Sequence, residues 1–338
     1  GKTADAIAMA SAADMATQLK ASVRSQVSVT AIDRAAQTIS LQAADGSSET
    51  LAYGDLVLAV GADVFRPPLA GNGGERVYTV NDLEDYARFR NAIGDSGKRV
   101  LTIGGGLIGG EFANDLSASG FHVELVEPMG RPLPTLLPER ASAAVADGLR
   151  SLGVNFHFAG VTAVDLAGDG VLVTLSAGKS VAADLVLSAI GLRPRIALAQ
   201  AAGLETARGI VTDRLLRTSD EHIYALGDCA EVSGKVLMYV LPLMAAARAL
   251  AKTLAGDATP VSYPAMPVQI KTPICPIVVS PVAPNTEGAW EVEADGANVK
   301  ACFRAANGEL LGFALTGSFA TDMKVKSEMA KALPAILA

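Results

Sequence analysis

Lys98-Arg99-Val100-Leu101-Thr102-Ile103-Gly104-Gly105-Gly106-Leu107-Ile108-Gly109-Gly110-Glu111 is the stretch that decides the fold. An apolar strand enters a glycine turn, and a helix leaves it. Gly104, Gly106 and Gly109 have the G-x-G-x-x-G spacing of a dinucleotide-binding turn. The first glycine allows the tight turn, the second lets backbone approach a pyrophosphate, and the third lets helix and strand pack closely. The spacing predicts that backbone N–H groups at Gly104, Gly106, Leu107 and Ile108 hold the pyrophosphate at the helix N-terminus. A second strand, His122 to Val126, leads into Glu127, which stands 23 positions after Gly104. That is close to the roughly 20 expected of an acidic group accepting from a ribose 2′-OH. Glu127 therefore favours NADH over NADPH, with Arg131 as a counterweight. The competing reading is a tight strand–helix turn that binds nothing.

The motif begins near position 100, which prompts a search for an earlier copy. Val29-Thr30-Ala31-Ile32-Asp33 matches Val161-Thr162-Ala163-Val164-Asp165, and Asp55 to Gly61 matches Asp184 to Gly191. Strand-like alternation fills the space between, at Thr38 to Gln42 and Val171 to Leu175. Two homologous dinucleotide domains are the expectation. By the same spacing, the glycine turn of the first copy falls before residue 1. The numbered sequence is therefore expected to lack its first nucleotide-binding βαβ unit.

Composition narrows the function classes. A chain of 338 residues, 50% of them hydrophobic, can fill two or three cores. With 35 acidic against 28 basic residues, it is not a general nucleic-acid binder. The longest apolar stretch, Val236 to Leu250, is interrupted by Pro242 and Arg248, so no membrane insertion is expected. Cys229, Cys275 and Cys302 form no C-x-x-C or C-x-x-x-x-C pair, so neither a redox dithiol nor a zinc knuckle is indicated. So few cysteines fit a reducing cytoplasm. His122, His157 and His222 share no metal-ligand spacing, and no metal site is expected.

Residues 1 to 24 read as helical, and 25 to 62 as a β-meander. A helix is predicted over Asn81 to Ile93, with Asn81 as its cap and Glu84 completing a capping box. Pro138 to Leu152 is a second helix, residues 242 to 254 a third, and Asp322 to Leu337 a closing one. Trp290 to Phe303 and Leu310 to Thr316 read as antiparallel strands. Lys271 stands alone in an apolar run, where burial would be costly without a partner. Gly191 is placed near the nicotinamide end of the ligand.

Thr218-Ser219-Asp220-Glu221-His222-Ile223-Tyr224-Ala225-Leu226-Gly227-Asp228 resembles the second FAD signature of the glutathione-reductase-like flavoproteins. Within that group, Asn81 to Arg90, Gly109 to Leu116, Ala225 to Glu231, Leu241 to Ala245 and Val268 to Pro281 resemble the rubredoxin–NAD reductases. The resemblance covers nearly the whole chain. It implies FAD and NADH as cofactors and rubredoxin as the acceptor, in the service of alkane hydroxylation: hydride transfer to flavin N5, then two one-electron transfers to iron. It implies Asp228 on the ribityl chain, Val29 against the FAD adenine and Val240 against the flavin through its backbone. It also implies Glu111 between nicotinamide and flavin and Lys271 beside the flavin, these two as the catalytic pair. Glu111 is expected on the first helical turn, where a negative charge also suits the dipole.

The expected fold is α/β: two tandem Rossmann-like domains and a small C-terminal α+β domain. The boundaries are 1–78 with 205–257 for the FAD domain, 79–204 for the NAD domain and 258–338 for the C-terminal domain. A cytoplasmic monomer is favoured. A ferredoxin reductase of an aromatic-ring oxygenase system and a flavin-deficient NAD-binding module stay open as alternatives.

Overall fold

The computed structural model describes residues 2–176 and 178–338. The chain forms two compact units: residues 1–63 with 192–263 and 337–338, and residues 64–191 with 264–336.

The second unit is built on a five-stranded parallel sheet. Its order is Val77–Tyr78, Leu185–Ser188, Arg99–Ile103, His122–Val126, Asn155–His157. The order reverses beside Arg99–Ile103, and such switch points are where open α/β sheets bind ligands. Near-continuous apolar strands such as Val100-Leu101-Thr102-Ile103 follow from burial on both faces. One face carries helices Leu83–Ile93, Leu107–Ala118 and Glu139–Ser151. The other is covered by an antiparallel meander, Val161–Ala167, Gly170–Leu175 and Ser180–Ala183, whose Val164, Val171 and Val173 pack on Leu101, Val126 and Val186.

Helix Glu139–Ser151 also packs against a five-stranded antiparallel sheet, ordered Val268–Ile270, Ile277–Ser280, Leu310–Thr316, Asn298–Arg304, Ala289–Asp295. Val145 and Leu149 of the helix share one core with Ile277, Val279, Val299, Ala301 and Ala314 of that sheet. This continuous core is why residues 264–336 join the nucleotide sheet in one unit. The closing helix is shorter than expected, Met323–Lys331, with Asp322 as its cap accepting from the Lys324 and Val325 N–H groups. Pro334 disfavours helical backbone just before it, which ends the helix early.

The first unit holds the matching meander, Val27–Asp33, Thr38–Ala43 and Ser48–Ala52. Strand Leu56–Leu58 pairs in parallel with Ile223–Ala225, and Ile210–Thr212 with Ala230–Val232. Both meanders carry the same irregularity: the register slips between Val29 and Ala31 in one, and between Val161 and Ala163 in the other. The extra residue is a threonine each time, and its hydroxyl donates across the strand pair, Thr30 to the Ser40 carbonyl and Thr162 to the Thr174 carbonyl. A bulge kept at the same residue in both copies is a structural signature of the repeat.

The cap of helix Leu83–Ile93 differs from expectation. Asp82, not Asn81, caps it, taking the Asp85 N–H at 2.7 Å, and Asp85, not Glu84, reaches back to the Asn81 N–H at 3.1 Å. An ionised carboxylate is the stronger acceptor for a helix N-terminus.

Candidate dinucleotide and flavin sites

In the second unit, the turn at the end of strand Arg99–Ile103 has the geometry that its glycines require. Gly104 adopts a φ of +98°, and a methyl group there would stand 2.7 Å from the Ala189 carbonyl oxygen. At Gly109 a methyl group would stand 1.8 Å from the Gly104 carbonyl oxygen, so helix and turn pack closer than any side chain permits. At Gly106 nothing lies within 4 Å. The first and third glycines are thus demanded by protein contacts, and the second faces open space. That open cradle fits a pyrophosphate. Gly106 is the N-cap of helix Leu107–Ala118, and no side chain caps it, leaving the N–H groups of the first turn for a ligand.

Glu127 closes the same turn. It is 6% exposed, and its carboxylate accepts from the Gly105 N–H at 2.8 Å and the Met129 N–H at 2.9 Å. Each oxygen keeps a further lone pair, so a ribose hydroxyl can still donate to it. Arg131, the expected counterweight, is turned to the Pro134 carbonyl at 3.1 Å. Gly191 adopts a φ of +107°, has open space at its Cβ position, and accepts from the Phe65 N–H.

Two expectations need correction. Glu111 lies on the second turn of the helix, which starts at Leu107, so stabilisation of the helix N-terminus does not explain it. Its Oε1 instead accepts from the Lys271 backbone N–H at 2.7 Å. Lys271 is not buried: its side chain is exposed, and an ammonium carries its own hydration when it points outward. The structure brings Glu111 and Lys271 together through the lysine backbone. Sequence reasoning missed Asn114, one turn after Glu111, whose Oδ1 accepts from the Ile274 N–H at 3.2 Å.

In the first unit, Asp228 lies in a single 3₁₀ turn, Gly227–Cys229, after strand Ile223–Ala225. Burial alone pushes its carboxyl above the usual range. It accepts no hydrogen bond from any described residue, although a half-buried carboxylate ordinarily finds a donor. The site therefore suits a hydroxyl-bearing ligand such as the ribityl chain of FAD. Helix Val240–Leu254 starts beside this turn: its Leu243 lies where a methyl group on Gly227 would come within 3.0 Å of Cδ1. Its N-cap, Tyr239, contributes no side-chain hydrogen bond, and Val240 and Leu241 are 67% and 53% exposed. An uncapped helix start with exposed apolar side chains fits a flat ring system that gains negative charge. Val29 sits at the bulge of the first meander and is exposed.

The cysteines are three free thiols, all buried, and burial pushes each thiol pKa up. No two of them form a disulfide. Among the described residues, no helix is long and apolar enough to cross a membrane.

An open glycine cradle in one unit and an unpartnered carboxylate before an uncapped helix in the other define a flavin- and pyridine-nucleotide-dependent oxidoreductase. The pyridine nucleotide-disulphide oxidoreductase pattern matches residues 2–251, and the chain belongs to that family. Residues 260–333 match a second pattern, described as a rubredoxin-binding C-terminal domain. The chain is 58% identical to a rubredoxin-NAD(+) reductase of Alcanivorax borkumensis over 340 aligned positions, covering all of this chain and 86% of that protein. It is 43% identical to the rubredoxin-NAD(+) reductase of Acinetobacter baylyi, covering 99% of this chain and 86% of that one. Among solved structures, a ferredoxin reductase from Rhodopseudomonas palustris superposes with a TM-score of 0.79 at 29% identity, covering 89% of this chain and 75% of that one.

Proposed function

We propose that this chain oxidises NADH and delivers the electrons to a rubredoxin, with FAD as the resident cofactor. The observation that carries this reading is the rubredoxin-binding pattern at residues 260–333, on a chain whose cysteines form no dithiol. Cys229, Cys275 and Cys302 are free buried thiols, and none of them pairs with another to relay electrons.

When bound, FAD supplies the conversion of a two-electron hydride at N5 into two single electrons for an iron centre. The chain's own residues bind and orient. Gly104, Gly106, Leu107 and Ile108 hold the NADH pyrophosphate through backbone N–H groups. Glu127 accepts from the adenine-side ribose and selects NADH, since a 2′-phosphate would meet its carboxylate. Gly191 lets the nicotinamide end approach the backbone. In the first unit, Asp228 accepts from the ribityl hydroxyls, Val29 offers backbone to the FAD adenine, and Val240 begins the helix whose dipole favours negative charge on the reduced ring. In the second unit, Glu111 orients the nicotinamide carboxamide, and the Lys271 ammonium raises the tendency of the flavin to accept electrons. We assign the protein to the cytoplasm, where NADH is available and thiols stay reduced, and its electrons to alkane hydroxylation.

The test is anaerobic NADH oxidation by the holoprotein, with rubredoxin or a [2Fe–2S] ferredoxin as the acceptor. Reduction of rubredoxin at least about tenfold faster in kcat/KM, a difference of about 1.4 kcal/mol, is expected. The likeness to a ferredoxin reductase favours a second reading, which the opposite preference would establish.

A further inference from the structure

The loop that carries Lys271 has a complete hydrogen-bond account. Buried or half-buried backbone groups are nearly always paired, so each N–H should have a traceable acceptor. Thr272 N–H goes to the Ile270 carbonyl at 3.0 Å and Cys275 N–H to the Thr272 carbonyl at 2.9 Å. Pro273 has none. The Thr272 hydroxyl donates to the Cys275 carbonyl at 2.7 Å, closing the turn on itself. The two remaining N–H groups point to the nucleotide helix, Leu107–Ala118. Lys271 N–H goes to Glu111 and Ile274 N–H to Asn114, acceptors three residues apart on one helical face.

The two acceptors differ in freedom. Glu111 is half-buried, and in the proposed function its carboxylate is the group drawn toward the nicotinamide. Asn114 is 2% exposed, and its Nδ2 donates to Asp115 Oδ1 at 3.1 Å, which fixes the amide with its oxygen toward Ile274. A neutral amide supplies this buried acceptor without the desolvation penalty of a carboxylate. We infer that Asn114 is the positioning residue that keeps the Lys271 loop on the nucleotide helix when bound nucleotide draws Glu111 away.

This inference rests on the proposed role of Glu111, and amide exchange separates the two. In the holoprotein, addition of NAD+ should speed exchange at the Lys271 amide and leave the Ile274 amide protected. Asn114→Leu and the smaller Asn114→Ser should each speed Ile274 exchange about five- to tenfold, the equivalent of one hydrogen bond. Both should lower kcat for flavin reduction several-fold with KM for NADH unchanged. Unchanged Ile274 exchange in Asn114→Ser overturns the inference, as does an unchanged kcat for flavin reduction in both variants. If NAD+ leaves the Lys271 amide untouched while the Asn114 variants behave as expected, the loop anchor stands and the proposed movement of Glu111 is what fails.

Discussion

The helices that begin at Leu107 and at Val240 both start without a side-chain cap, and they are built by opposite means. The one that begins at Leu107 is specified by absence. Its entry is so tight that a methyl group would collide with backbone at Gly104 and Gly109, and of the three motif glycines Gly106 alone looks onto free space. The one that begins at Val240 is specified by presence: a proline in its first turn, exposed valine and leucine, and Leu243 against the Asp228 turn. The first is a steric solution and tolerates almost no variation. The second is a chemical one, in which polarity and burial can be tuned gradually. Substitutions in the two places should therefore fail in different ways.

The sharpest break is Gly109→Ala. A methyl group 1.8 Å from a carbonyl oxygen forces the helix off the turn, at a cost of several kcal/mol. NADH affinity should fall by more than about a hundredfold. Bound flavin, measured by its visible absorbance, should be retained; loss of flavin from this variant would erase the proposed separation between the two sites. Next comes Asp228→Ala, which removes a charge-assisted acceptor worth roughly 1.5–3 kcal/mol. FAD should dissociate some ten- to a hundredfold more readily, as read by fluorescence of released flavin, with NADH binding to the remaining protein little changed.

The same aspartate gives a pH signature. Its carboxyl lies above the usual range in the ligand-free protein because burial disfavours the charge. Hydroxyl donation from a bound ribityl chain favours the ionised form. FAD affinity is then fully present above the raised pKa and declines as pH falls through it. Loss of flavin on acidification should begin above about pH 4, the ordinary range of an aspartate, and Asp228→Asn should flatten the profile.

Glu127→Gln tests the nucleotide site more gently. The amide keeps one acceptor oxygen for the Gly105 and Met129 N–H groups, so the turn loses one hydrogen bond, and NADH affinity drops by about tenfold from loss of a charged acceptor. A KM that does not move would remove Glu127 from the ribose. The smallest effect is expected at Val240→Asp. An anion at that helix start stabilises the helix by about 0.3–1 kcal/mol and opposes negative charge on a reduced ring. Thermal stability should rise slightly while the flavin becomes harder to reduce.

The same contrast explains what could be read in advance. The parallel sheet, the Gly104 turn and the repeat were legible because spacing encodes backbone constraint: a glycine is required where no Cβ fits, and both copies spell V-T-A at the same bulge. Asp228 and Val240 carry no such constraint and were reached through resemblance. Lys271 was misjudged as a burial problem, since an apolar neighbourhood in sequence does not say which way one side chain points. Asn114 left no signal at all. A buried amide in a helix gains meaning only from the loop packed on it, which lies 160 residues away in the chain. The helix cap slipped by one residue because Asn81 and Asp82 are both competent caps, and only the fold chooses between them.

The buried thiols make the protein its own stopwatch. Cys229 belongs to the first unit, Cys275 and Cys302 to the second, and each is shielded and held in the unreactive thiol form. A maleimide or an aromatic disulfide can mark them only while their surroundings are transiently open. The labelling half-time of Cys229 therefore times breathing of one unit, and those of its two counterparts time the other. Peptide mass spectrometry can read all three clocks in a single sample, with no engineered probe.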